Sequence, residues 1–133
     1  MSLLEAQGYE HFITSCDAGV TSASITYVTC PMDFHLIRSS EIGRGPFTGG
    51  SYTFTVRDGE IVRASVDWDY MDDFSPQMWE PFAAWVATTH PEDVRVMYLD
   101  ESQEMYALTA ESIRLWEQNS KQYVREVQRG NAE

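Results

Sequence analysis

The segment YTFTVRDGEIV, residues 52–62, decides the fold. From position 52 to position 57, apolar residues at the even positions alternate with polar residues at the odd ones, as in a strand with one buried face. Asp58-Gly59 follows, a pair that favours the two-residue turn of a β-hairpin. Because residues 61–70 continue with β-prone side chains, we predict that they pair antiparallel with residues 52–57.

The chain before this hairpin is also rich in strand formers. Residues 9–16 predict a short strand, residues 17–19 a turn, and residues 20–37 a long β segment. Pro31 interrupts that segment and predicts a bulge or an edge position, because proline has no N–H to donate to a ladder. The glycine-rich residues 43–50 predict a flexible connection to the hairpin.

The last third of the chain has helical patterns. The main helix is predicted to begin at Glu80, since Pro81 suits only its first turn. Residues 92–98 fit a helix or a strand, and the acidic turn that opens them favours the helix. Residues 109–128 predict a long helix with Thr109 as its N-cap. Its apolar stripe, which must dock on another element, consists of Ile113, Trp116, Tyr123, Val124 and Val127.

These patterns predict an α+β protein with a single domain over residues 1–133, of which residues 75–128 form a helical C-terminal extension. The chain has 9 Lys and Arg against 21 Asp and Glu, a formal net charge of -12, which excludes nucleic acid and anionic membranes as expected partners. No apolar run suits a membrane span, and the first residues do not resemble a signal peptide. We therefore expect a cytoplasmic protein in which Cys16 and Cys30 are free thiols.

The hairpin, followed by Trp68-Asp69-Tyr70-Met71-Asp72, resembles the last hairpin of the nuclear transport factor 2-like superfamily. That superfamily includes SnoaL-like polyketide cyclases, ketosteroid isomerase and limonene epoxide hydrolase. Residues 79–86 and 115–117 resemble uncharacterised bacterial members with an extra helical tail. The resemblance implies a strongly curved antiparallel sheet, a cone-like α+β barrel, with helices on one face.

One departure from this superfamily concerns the N-terminus. Family members usually begin with two or three helices that cover the concave face of the sheet, whereas this chain starts almost at the strands. Those helices are absent here, or the C-terminal helix replaces them, or a partner chain covers the sheet. Because a bare apolar sheet face usually marks an interface, we expect a homodimer.

The candidate catalytic residues lie on two strands. Asp67 and Asp69 share one face of the last predicted strand, and the resemblance implies that such a carboxylate acts as a general base in an apolar cone. Asp33 and His35 share a face of an earlier strand, where a carboxylate can orient an imidazole. The alternatives are a solvated acidic face for the first pair and a surface or edge pair for the second.

The candidate ligand-binding residues are Tyr27, Trp68 and Tyr70, which suit an apolar cavity but equally suit ordinary core packing. Cys30, Asp33 and His35 form too small a ligand set for a transition metal without further donors. The acidic residues 67–73 lack the glycine and the distal glutamate of a calcium loop. We therefore expect no metal and no cofactor.

Two functions fit these observations. In the first, an SnoaL-like protein binds a small hydrophobic molecule and acts on it as a cyclase, isomerase or dehydratase through a carboxylate general base. In the second, the chain is a non-catalytic module for small-ligand binding or dimerisation. A deep apolar pocket with a carboxylate at its bottom favours the enzyme.

Overall fold

The predicted hairpin forms the long ribbon of the sheet. In the computed structural model, which describes residues 1–13, 15–22, 24–68 and 73–130, strand β4 spans Phe47–Arg57 and strand β5 spans Glu60–Trp68. They pair antiparallel across Asp58-Gly59, and both turn residues have positive φ, as a type I′ turn requires. The hairpin prediction is confirmed as far as Trp68. The predicted end of its second strand, Asp69 and Tyr70, lies outside the described residues.

The centre of the sheet is a long strand that has two short partners on one side. Three strands precede the hairpin in the chain: β1 Glu10–Ile13, β2 Asp17–Ser22 and β3 Ile25–His35. The first half of β3 pairs with β2, its second half pairs with β1, and its other side pairs with β4 throughout. All pairs are antiparallel, so the order β1-β3-β4-β5 describes the sheet, with β2 in line beside β1.

The boundaries of the first strands differ from the predicted ones. The predicted turn at residues 17–19 is wrong, because Asp17–Ser22 is a strand that pairs with β3. The predicted segment 20–37 is two strands, and the chain reverses direction between Ser22 and Ile25. That reversal contains neither glycine nor proline, so the sequence carries no recognisable turn signal there.

Pro31 lies inside the central strand rather than at an edge. On one side it is opposite Ser51 of β4. On the other side, β2 pairing ends at Thr29 and β1 pairing begins at Met32, so Pro31 faces the gap between the two short strands. The register shift of the β3–β4 pair lies between Met32 and Phe34, and not at Pro31 itself. A proline is tolerated more readily at a position where one side of the strand has no partner.

The cone-like barrel is not seen. The sheet is open, because β1 and β2 lie at one end of the strand order and β5 at the other, without pairing between them in the described part of the chain. It is also not strongly curled. The architecture is therefore α+β with an open antiparallel sheet and a helical half.

The helical half follows the predicted order. Its elements, with the short N-terminal helix, are α1 Leu3–Ala6, a 3₁₀ turn Ser39–Ile42, a π-helical turn Ser75–Trp79, α2 Glu80–Thr89, a 3₁₀ turn Pro91–Asp93, α3 Val94–Met97 and α4 Ala110–Gln128. The starts of α2 and α4 and the helical choice for residues 92–98 are confirmed. The Thr109 hydroxyl accepts a hydrogen bond from the Ser112 N–H, as an N-cap does. None of the helices in the described ranges has the length and hydrophobicity that crossing a bilayer requires.

An aromatic cluster joins the sheet to the helices. Phe34 of β3 and Phe47 of β4 contact Phe74, with ring centroids 5.6 and 5.3 Å from it. On the helical side, the Trp116 ring lies 5.3 Å from Phe82 and 5.3 Å from Tyr98. All six side chains are buried, so the end of the sheet that carries Phe34 and Phe47 belongs to the core.

Helix α4 docks mainly on other helices, so the alternative in which it covers the sheet face is not seen in the described residues. It packs against α1, α2, α3 and the 3₁₀ turn at residues 39–42. The Arg38 Nε donates to Ser120 Oγ at 3.2 Å, and Trp116 Nε1 donates to the Met97 carbonyl at 3.2 Å. On the polar face of α4, Lys121 Nζ lies 3.7 Å from Glu117 Oε1 near the surface.

The two cysteines are joined, which overturns the expectation of free thiols. Cys16 and Cys30 form a disulfide that links the segment between β1 and β2 to the central strand. Their chain separation of 14 residues gave no pairing signal, because the contact depends on the long-range register of the sheet. Structural disulfides are typical of oxidising compartments, so this disulfide does not support the expected cytoplasmic location.

The disulfide predicts a redox-dependent stability. We expect no thiol to react with Ellman's reagent in denaturant without reductant, and two thiols per chain after reduction. Reduction should lower the free energy of unfolding by about 3 kcal/mol, the loop-entropy value for a loop of about 15 residues. Urea unfolding with and without a phosphine reductant measures this. A Cys16→Ser variant that reductant no longer affects is the control, and two reactive thiols in the untreated protein would contradict the pairing.

Burial of Trp116 predicts a large cost for its truncation. Its side chain is 0% exposed, so Trp116→Ala should lower the free energy of unfolding by about 3–5 kcal/mol. Arg114→Ala, two residues away on the exposed face of α4, should change it by less than about 0.5 kcal/mol. Urea unfolding of both variants makes the comparison, and equal losses would show that α4 contributes no specific packing.

Candidate functional site

The two faces of the sheet have opposite chemistry. Side chains alternate between the faces along each strand, and the register places even positions of β3, β4 and most of β5 together. The other face carries the charged strand residues, which are Glu10, Asp17, Asp33, Arg57, Glu60, Arg63 and Asp67. In a chain with 21 acidic residues, the face that carries these even positions is therefore unusual in its lack of charge.

We call this uncharged surface the apolar face. Its described members are Ile13, Ala18, Val28, Cys30, Met32, Tyr52, Phe54, Val56, Ala64 and Val66. None of these positions holds Asp, Glu, Lys or Arg. Alternation in residues 52–56 signalled part of this face in the sequence, but the contribution of β1, β2 and β3 depended on a register that local patterns do not give.

Much of the apolar face is open to solvent. Ile13 is 42% exposed and Val66 is 43% exposed, whereas Cys30 and Met32 are buried. Aromatic contacts organise its middle: Tyr52 and Phe54 stack with ring centroids 5.9 Å apart, and the Tyr9 hydroxyl lies 3.5 Å from that of Tyr52. The face is thus preformed and continuous, and no described helix lies across its outer part.

Asp33 and His35 share one face of β3, which pairs with β1 without a break from Met32 to His35. The His35 ring is buried against Phe12 and Phe47, and its Nδ1 lies 2.7 Å from Ser39 Oγ. This imidazole therefore anchors the turn that follows β3.

Asp67 lies on the charged face of the edge strand and is exposed. The register places it opposite Ser51, which is opposite Pro31. It is therefore two strands across and four residues along from His35, roughly 15 Å by standard strand spacings. The structure does not bring these two candidates together, and Asp69, the other predicted base, lies outside the described residues.

Of the three predicted ligand-binding aromatics, the structure describes the side chain of Tyr27 alone. Tyr27 is opposite Thr55 on the charged face, at the outer end of β3, and is 43% exposed. Trp68 is the last residue of β5, opposite Gly50. Tyr70 lies outside the described residues. Cys30 is committed to the disulfide, so the Cys30, Asp33 and His35 ligand set is not available to a metal either.

One depression lined by described residues lies away from the predicted site. It is an open cavity of about 320 Å³ lined by Arg44, Pro76, Gln77 and Pro81. The Arg44 Nη1 donates to the Gln77 carbonyl at 3.0 Å and to the Tyr123 hydroxyl at 3.0 Å. Since the guanidinium is engaged in holding the helical half together, this depression offers little for ligand binding.

Two ionisable groups in the helical half are clearly perturbed. Burial raises the pKa of the Tyr98 hydroxyl, which lies within the aromatic cluster. Hydrogen bonds from the Ser102 hydroxyl and N–H lower the pKa of the exposed Asp100 carboxyl. Both belong to the segment that follows α3, and neither lies on the sheet, so the perturbations reflect folding rather than a catalytic centre.

Comparison with known proteins identifies no relative: no family model matches the chain, and neither a curated protein nor a solved structure shows significant similarity to it. The resemblance to the nuclear transport factor 2-like superfamily rests on the hairpin and tail sequences alone.

The raised pKa of Tyr98 predicts an alkaline loss of stability. The unfolded state releases this proton near pH 10.0 while the native state keeps it. The contribution of Tyr98 to the free energy of unfolding is therefore fully present below about pH 10. It is lost as the pH rises further, with a slope of about 1.4 kcal/mol per pH unit. Urea unfolding at about pH 9 and about pH 11 should show a smaller loss for Tyr98→Phe than for the wild type. Tyr27→Phe, at an exposed position, should retain the full loss, and identical profiles for all three proteins would contradict the argument.

Proposed function

We propose that this chain is a non-catalytic dimerisation module, in which the apolar face packs against the apolar face of a second copy. The observation that carries this proposal is the face itself: a continuous, uncharged, partly exposed surface on an antiparallel sheet. Exposed apolar patches of this kind usually mark interaction sites in proteins. Two sheets that pack face to face make a sandwich with an interior about 10 Å thick, which side chains such as Tyr52 and Phe54 fill well.

The charge distribution favours a second copy as the partner. Two chains with a formal net charge of -12 repel one another over most of their surfaces. The apolar face is the region where two copies can meet without placing like charges opposite each other, because its described positions hold none. The charged residues of the strands stay on the outer faces of such a sandwich, in contact with water.

The geometry gives less support to catalysis. General acid–base chemistry needs an acid and a base within hydrogen-bond reach of one substrate. Here His35 is engaged with Ser39, and Asp67 is exposed on the opposite face from the apolar side chains.

A second candidate function uses the same face. The stacked Tyr52 and Phe54 rings, with Tyr9 beside them, form an aromatic platform on which a small hydrophobic molecule can lie. An open platform buries much less of a ligand than an enclosed pocket does, so we rank this function below dimerisation.

A matched pair of lysine substitutions tests the dimer. Phe54→Lys places a charge on the apolar face, whereas Thr55→Lys places the same charge on the opposite face of the neighbouring position. We expect a homodimer at micromolar concentration for the wild type and for Thr55→Lys. Phe54→Lys should weaken dimerisation by at least about 100-fold, or about 2.8 kcal/mol. Sedimentation velocity measures the association, and circular dichroism checks that each variant is folded.

Three results would separate the alternatives. A wild-type monomer at all concentrations tested would overturn the proposal. Equal effects of the two lysine variants would place the interface elsewhere. A monomer that binds an apolar fluorescent probe, and loses that binding in Phe54→Lys but not in Thr55→Lys, would favour the second candidate function.

A further inference from the structure

A second cluster of functional side chains lies far from the sheet, at the connection between α2 and α3. His90, Glu92 and Asp93 each direct one potential metal-ligating atom to the same place, and these three atoms lie within 4.8 Å of one another. His90 and Asp93 are partly buried, and Glu92 is exposed. The cluster is independent of the proposed dimer, because none of its members lies on a strand.

The His90 ring is held in one tautomer by a chain of hydrogen bonds. Its Nε2 lies 2.8 Å from Gln122 Oε1. The Gln122 amide is oriented by its own Nε2, which donates to Glu126 Oε2 at 2.8 Å. Because Gln122 Oε1 can only accept, the His90 Nε2 carries the proton, and the neutral ring has its lone pair on Nδ1. That atom lies 3.9 Å from Glu92 Oε1.

Asp93 is held in a similar way from the same helix. Its Oδ2 accepts a hydrogen bond of 3.0 Å from Nδ2 of Asn119. Asn119 is 0% exposed, and its own Oδ1 has no hydrogen-bond partner among the described residues. The amide that supports the Asp93 carboxylate is therefore itself fixed within the core beside α4.

The cluster thus brings three acceptors together without a donor among them. One imidazole nitrogen and two carboxylates that lie this close together favour a positive charge between them. A neutral imidazole with its other nitrogen donating to an oxygen is the usual arrangement of a metal-bound histidine. Here, that oxygen is Oε1 of Gln122, and the Gln122 amide is hydrogen-bonded in turn to the Glu126 carboxylate.

We propose that His90 Nδ1, Glu92 and Asp93 bind a divalent transition-metal ion of the Zn²⁺ class, with water completing the coordination. One nitrogen and two carboxylate ligands suit such an ion, and Zn²⁺ sites with three protein ligands keep a water in the fourth position. The bound ion would connect the α2–α3 turn to α4 through Gln122 and Asn119. It would therefore contribute to stability and not to chemistry on the sheet.

Isothermal titration with ZnCl₂ alone tests this site. We expect one ion per chain for the wild type. His90→Gln should lower the affinity more than 10-fold, and Gln122→Leu, which removes only the outer support, should lower it by about 10- to 100-fold. His11→Gln, at an exposed histidine on β1, should bind as the wild type does. The Trp85 ring lies 5.6 Å from His90, so its fluorescence gives an independent signal for the same titration.

A thermal measurement completes the test. Zinc in excess should raise the melting temperature of the wild type and of His11→Gln, because an ion that binds only the folded state stabilises it. It should leave that of His90→Gln unchanged. No saturable binding by the wild type would overturn the proposal. Undiminished binding by a folded His90→Gln would place the metal elsewhere.

Discussion

The packing of Trp116 against Phe82 and Tyr98 is the interaction on which the rest of the structure depends. This packing buries the apolar stripe of α4 within the helical half, so the helix has no second apolar surface that could pack against the sheet. The sheet contributes Phe34 and Phe47 to the same core and then extends beyond it. One consequence is a molecule with a closed helical core and a sheet whose outer apolar face lacks a cover from its own described chain.

Local signals predicted the features that depend on local geometry. The Asp58-Gly59 turn, the Thr109 cap and the apolar stripe of α4 each arise from residues close in sequence, and each is confirmed. The strand β2 and the disulfide depend instead on which half of β3 each short strand meets. A reversal after Ser22 without glycine or proline gives no sign of that choice, and a contact between Cys16 and Cys30 exists only once the choice is made.

Sequence spacing was less informative about the candidate site. It does place Asp33 and His35 on one face of β3, but the spacing gives no sign that the His35 ring contacts Ser39. Residues that share a strand face in sequence also need the right neighbours across the sheet before they can act together. The sequence predicted only part of the apolar face. Alternation shows which side of a strand is apolar, but it does not show which strands lie beside it.

The free edge of the sheet helps to decide how two copies would meet. An exposed edge strand is a template for unwanted pairing, and charged side chains along it are a common protection. β5 carries Glu60, Arg63 and Asp67 on its charged face, so chains that pair along this edge bring charged side chains close together. The apolar face has no such protection. The segregation of charge to one face therefore disfavours edge pairing and leaves face-to-face packing as the association that the side-chain chemistry permits.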